Sequence, residues 1–218
     1  MKLLRNQTLH GIGAHAHLPV SFGVISKNLL TEKRMKILKY IKSKFNKTIS
    51  VEQFAAGLWE AFRRMRKGNI ETYGKLSESV KDMNEEDLMK LDWELSIIDM
   101  FITTYCCRLF LTDEGICDAT LDKFHRFVYG DFSQVDKMLA YTFQEESKVK
   151  YQAYFEAIRF EKSFHSLCKE LGKNIYNKEV YDAITLNALR VYIEANLRYV
   201  TDIIKGILEK NDLELDHG

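Results

Sequence analysis

The 218-residue chain contains a single proline, Pro19. Proline removes a backbone donor and breaks helices, so its near absence favours long uninterrupted helices. Cysteine is also sparse. Cys106, Cys107, Cys117 and Cys168 form neither a C-x-x-C pair nor the dense spacing of a disulfide-stapled secreted domain. The most apolar run, Leu95 to Leu111, carries Asp99 and Arg108 and falls short of the roughly 18 residues that cross a bilayer. The start, MKLLRNQTLHG, has no apolar core of the kind a secretory leader needs. The sequence contains no Gly-rich phosphate loop and no G-x-S-x-G elbow. These absences lead us to expect reduced thiols in a cytoplasmic protein, with no membrane segment and no cofactor.

What is present is globular. Hydrophobic residues make up 46% and charged residues 29%, enough to form a real core. The net charge of +1 hides a strong segregation. From Lys33 to Lys67 eleven Lys/Arg face two acids, and from Glu71 to Asp99 nine acids face three lysines.

Helical periodicity starts at Thr31, after an irregular segment over residues 1–30 that contains Gly11, Gly13, Pro19 and Gly23. One helix is expected from Thr31 to about Lys47. A second starts at the Ser50/Gln53 capping box and ends at Gly68, and a short one covers Ile70 to Lys81. Asn84 opens a long helix, Glu85–Leu111, with Leu88, Leu91, Leu95, Ile98, Ile102, Tyr105 and Leu109 on one seam. Asp118 is expected to cap a short helix that Gly130 stops, and another short helix follows Ser133. A long helix is expected over Lys148–Leu171, closed by Gly172. A last helix, capped by Asn177, covers Lys178–Lys210. The expectation is therefore an all-α bundle of about seven or eight helices, with residues 31–218 as one helical domain. Only AHAHLPVSFGVI, near the start, alternates as a strand would.

Three groups of residues have a pattern that suggests chemistry. Arg5 and His10 fit R-x4-H, and RNQTLHG resembles the R-N-x-x-x-H motif of the HEPN superfamily, helical domains that include ribonucleases and toxins. The resemblance implies that Arg5 and His10 act on an RNA phosphate and 2′-hydroxyl, with Asn6 orienting them. Histidine transfers protons near neutral pH and arginine stabilises a crowded phosphate, as such cleavage requires. The position departs from that family, whose motif follows a helical scaffold, whereas four residues precede Arg5. His15 and His17 form H-x-H, which on a strand turns two imidazoles toward one divalent metal. GAHAHLP is similar to the first-strand H-x-H of amidohydrolases, whose barrel needs further strands that this chain does not carry.

The third group is the basic block, with Lys36 and Lys39 on its first helix and Arg63, Arg64, Arg66 and Lys67 at the end of its second. Such a surface suits phosphates or an acidic protein. RMKILKYIKSKFNKTISVEQFAAGL resembles the first two helices of a winged helix-turn-helix, but Leu58 is followed by WEAFRRMRKG with no turn to a recognition helix. Asp122-x-x-His125 and Glu161-x-x-x-His165 depart from the Glu-x-x-His pairs of di-iron bundles.

The expected function is a non-enzymatic helical regulatory or interaction domain that binds an acidic partner or nucleic acid through residues 33–67. An HEPN-like ribonuclease using Arg5 and His10, and a metal-binding protein using His15 and His17, are the alternatives. A homodimer is expected through the long helices. The last of them carries one apolar stripe from Leu189 to Leu208 and a second through Val180, Ile184, Ala188, Val191 and Ala195.

Overall fold

A computed structural model describes residues 48–76, 83–160, 164–180, 182–209 and 211–214. The irregular segment expected over 1–30 and the helix expected from Thr31 to Lys47 lie outside them. Among the described residues there are seven helices: α1 (Val51–Lys67), α2 (Asn69–Gly74), α3 (Glu85–Phe110), α4 (Glu114–Val135), α5 (Lys137–Phe160), α6 (His165–Tyr176) and α7 (Ala183–Leu208). The fold is an all-α bundle. One addition was not expected: β1 (Thr48–Ser50) and β2 (Asp212–Glu214) pair in parallel, with Ile49 opposite Leu213. Three-residue strands are too short to show a period of two in the sequence.

Local chemistry sets most of the helix starts. Ser50 Oγ accepts from the Gln53 amide at 3.2 Å, and Gln53 Oε1 accepts from the Ser50 amide at 3.1 Å. This is the reciprocal box expected from the sequence. Asn84 Oδ1 accepts from the Asp87 amide at 2.9 Å and opens α3.

Five expected boundaries are corrected. Asp113, not Asp118, caps α4, accepting from the Ile116 amide at 2.9 Å, and the helix runs through Gly130. Buried Val128 and Phe132 on either side hold that stretch helical against glycine's preference to stop it. Asp136 then opens α5, its Oδ1 accepting from the Met138 and Leu139 amides. The helix expected over Lys148–Leu171 is therefore two helices, with α5 starting earlier and Gly172 lying inside α6. Asn177 ends α6 in the left-handed region at φ 52° and does not begin the last helix. Asparagine adopts that conformation more readily than most residues. Asp182 caps α7 instead, accepting from the Thr185 amide at 2.7 Å.

α3 is the centre of the bundle. It packs on each of the other described helices. Every side chain from Glu94 to Thr104 is buried, so this helix has no solvent face along its middle. The single seam expected from its leucines is only one side of it. α5 closes on α3 through Phe101, whose ring lies 5.5, 5.3 and 4.8 Å from those of Tyr151, Tyr154 and Phe155, all edge-on. α1 packs on α4 through Phe62 against Phe124 and Trp59 against Phe127.

Two helical glycines distinguish packing from propensity. A Cβ at Gly172 would lie 3.1 Å from Val180 Cγ2 and 3.2 Å from Leu189 Cδ1, both buried. A Cβ at Gly130 would meet nothing within 4 Å. Gly172→Ala is expected to destabilise the fold by about 1 kcal/mol, because crowding outweighs the helix gain. Gly130→Ala is expected to stabilise it by about 0.5–1 kcal/mol. Urea unfolding of the two variants checks the opposite signs.

Candidate functional site

Of the residues singled out in the sequence, Arg5, His10, His15, His17, Lys36 and Lys39 lie outside the described residues. Arg63, Arg64, Arg66 and Lys67 form the last turn of α1. Basic side chains there meet the negative end of the helix dipole. Three of them also engage groups of the same chain. Arg63 lies 3.5 Å from both Glu60 and Asp131, and Arg64 lies 3.7 Å from Glu60. Arg66 stands 4.3 Å over the Phe132 ring, and its charge acts on Asp92. Lys67 is exposed. Exposed pairs of this kind contribute about 0–1 kcal/mol each. They give much of the positive charge a local partner.

A different site is built by the hairpin of α4 and α5. The two helices border an open cleft of about 850 Å³ lined by His125, Arg126, Tyr129, Lys137, Tyr141 and Tyr151, among others. At its floor His125 Nε2 lies 3.1 Å from Thr104 Oγ1 and 3.3 Å from Tyr151 Oη. The Thr104 hydroxyl donates to the Met100 carbonyl at 3.0 Å, so its oxygen is left as an acceptor. We therefore assign the imidazole proton to Nε2 and the lone pair to Nδ1, with the Tyr151 hydroxyl donating to Thr104 at 3.4 Å. Burial pushes His125 down to about 4, with Asp122 opposing and Arg108 adding to the shift. The ring is therefore neutral at pH 7. Burial likewise raises Tyr129 to about 12 and Tyr151 well above the usual phenol range, so both keep their protons.

The second buried polar centre joins three helices. Asp99 on α3 is fully buried. Its Oδ1 accepts from Asn196 Nδ2 of α7 at 2.7 Å, and its Oδ2 lies 2.9 Å from the Tyr192 hydroxyl. That hydroxyl is also 2.7 Å from Asn69 Oδ1 of α2. A phenol has one proton and cannot donate to both oxygens. Two arrangements resolve the count: a protonated Asp99 that donates to Tyr192, which donates onward to Asn69, or a turned Asn69 amide whose Nδ2, without a partner as placed, donates to Tyr192 while Tyr192 donates to Asp99. Burial raises Asp99 to about 7, while Tyr192, Asn196 and Asn69 pull it back.

Other candidate chemistry is quiet. All four cysteines are buried and unpaired with one another. Burial raises Cys106 to about 11, Cys168 to about 12 and the other two upward, so none is a thiolate nucleophile near neutral pH. No group of three His, Cys, Asp or Glu among the described residues is placed to hold a metal. His165 is exposed at the start of α6, and Glu161 lies outside the described residues. Among the described residues no helix is long and apolar enough to cross a membrane. The sequence reading paired His125 with Asp122 and missed Thr104 and Tyr151. The available signal was a run of polar residues, Asp99, Thr103 and Thr104, inside the most apolar helix, which must find partners when buried.

No protein-family model matches the chain, and no curated protein or solved structure matches it.

Asp99 and His125 link stability to pH with opposite signs. An unfolded Asp titrates near about 3.9, so the native state holds a proton that the unfolded chain has released. The stabilisation from Asp99 is full below that value and is lost as pH rises through about 7. The stabilisation from His125 is full above about 6.5 and is lost as pH falls through about 4. Asp99→Asn keeps the protonated bonding pattern and removes one of the two titrations. The stability of Asp99→Asn relative to wild type should rise by about 1.4 kcal/mol per pH unit between pH 5 and about 7, then level off. Urea melts at pH 5, 6, 7 and 8 test this, and a gap independent of pH would show that Asp99 is ionised throughout.

The thiols give a second test. Ellman's reagent at pH 8 should leave all four cysteines of the folded protein unreacted over minutes, and all four should react in guanidinium. Rapid labelling of any one in the native state would contradict its burial.

Proposed function

We propose that this chain is a non-enzymatic interaction protein that pairs with a second copy of itself through the end of the α4–α5 hairpin. The observation that carries the reading is a run of exposed apolar side chains at that end. Val135 is 80% and Met138 71% exposed, with Leu139 beside them. Met89, 69% exposed, belongs to the same end of the bundle. Trp93, one turn further along α3, packs its ring on Phe132 and Phe143, one and two turns inside the hairpin tip. Apolar groups gathered in this way mark contact surfaces, and methionine adapts to the shape it meets.

Charge supports a second copy as the occupant. Glu85, Glu86 and Asp87 form the exposed first turn of α3, and Arg66 and Lys67 close α1. A two-fold contact sets the acidic turn of one copy toward the basic turn of the other. The reading rests on the apolar end and not on the basic turn alone, because Arg63 and Arg64 already face Glu60 and Asp131. The second stripe of α7 is a weaker surface: Ile184 is 79% exposed, but Ala188 between it and Val191 is buried.

Sedimentation equilibrium at high micromolar concentration tests the proposal. The wild-type chain should run at twice 25.5 kDa. The double variant Val135→Glu, Met138→Glu should run as a monomer with unchanged helical circular dichroism. A monomeric wild type would overturn the reading. So would a dimer that Ile184→Glu breaks and the double variant does not.

A further inference from the structure

We propose that the α4–α5 cleft binds a free small anion of the mononucleotide class, with its planar ring along Tyr129 and Tyr141, an N–H of the base edge donated to His125, and its phosphate at Arg126 and Lys137. Several independent features of the cleft argue for this. It is an open groove of about 850 Å³, wide enough for a small molecule laid along its wall. Its lining carries Arg126, Lys137 and Lys148 against one acid, Asp122, although the whole chain is nearly neutral. Lys148 is engaged by Glu145 at 2.6 Å, which leaves Arg126 and Lys137 as the cations for an anion.

The inner end has the opposite character. His125 uses Nε2 on Thr104, makes no hydrogen bond through Nδ1 among the described residues, and lines the cleft. Its ring is neutral, as burial holds it near 4. Nδ1 is thus an acceptor set in place by the floor, and it selects a ligand that brings an N–H or O–H. A bare phosphate can bring an O–H to it but no ring to the tyrosine wall, and it cannot reach Nδ1, Arg126 and Lys137 as a larger ligand does. Tyr129 lies 14° from parallel with the His125 ring at 6.0 Å, so the wall presents aligned flat surfaces. Nucleobases stack on such surfaces and carry donors on their edges.

Gly130 is the remaining clue. It lies in the cleft wall in mid-helix, where glycine lowers helix stability. No neighbour requires it, since a Cβ there would meet nothing within 4 Å. Its missing side chain keeps the cleft open.

Isothermal titration of the full chain with adenosine monophosphate, inorganic phosphate and a short single-stranded RNA tests the proposal. The nucleotide should bind one to one, and phosphate at least tenfold more weakly. Gly130→Leu, which fills the cleft without disturbing the core, and Arg126→Ala should each weaken the nucleotide at least tenfold. Arg198→Ala on α7 should leave it unchanged. The proposal fails if the nucleotide gives no saturable binding, if Gly130→Leu binds as wild type does, or if phosphate binds equally well. RNA binding that the free nucleotide does not compete with would also overturn it and favour a polynucleotide surface.

Discussion

The whole bundle is organised around the burial of α3 on all sides. A helix with no solvent face cannot leave its polar groups to water, and an orphaned buried polar atom costs about 1–3 kcal/mol. Three of the buried polar residues of α3, Glu94, Asp99 and Thr104, hold neighbouring helices in place. Asp99 holds α7 through Tyr192 and Asn196, and α2 through Asn69. Glu94 holds α5 through Lys150, which also reaches Glu146, and Glu146 in turn accepts from the Trp93 indole at 2.9 Å. Thr104 meets α4 at His125 and α5 at Tyr151. Even Cys106 approaches Thr201 of α7 at 3.7 Å. Apolar packing alone tolerates rotation and sliding of helices. These pairs do not, because a slip of one residue would orphan both partners.

The same constraint shapes the candidate site. Thr104 is fixed by its bond to Met100, so the oxygen it offers to α4 and α5 has one direction. His125 takes its tautomer from that oxygen, and the tautomer decides that the cleft sees an acceptor and not a proton. Tyr151 comes from the same α5 turn that packs on Phe101. The inner end of the cleft is thus part of the core, while its cationic rim is on the surface.

This division also explains what the sequence could disclose. The Ser50/Gln53 box and the Asn84 cap are local: the residues that bond are three apart, and nothing distant competes. Asp113 and Asp118 both precede helix-forming residues, and the choice between them depends on where α3 ends, which is fixed by packing of Leu111. Gly130 and Gly172 look like stops in sequence and are helical in the structure, because aromatic and aliphatic neighbours bury on both sides of each. Asn177 resembles a helix start by type, but its positive φ makes it a finish. The cleft was illegible for a different reason. Its floor joins residues 104, 125 and 151, and no periodicity links positions that meet only when α4 folds back along α5.

The segregated charge looks different once helix ends are assigned. The basic residues from Arg63 to Lys67 close α1, and the acids from Glu85 to Asp87 open α3. A helix end with exposed carbonyls favours cations, and a helix start with exposed amides favours anions. Because these two ends are close in the sequence, the helix dipoles favour a basic stretch followed by an acidic one. The Glu60 and Asp131 contacts then draw Arg63 and Arg64 inward, and the Phe132 ring takes Arg66. The described half of the basic block is therefore accounted for by the electrostatics of folding. A surplus of cations that the fold does not use is found instead along the α4–α5 cleft, where Arg126 and Lys137 stand on its outer edge above a neutral, hydrogen-bonded floor.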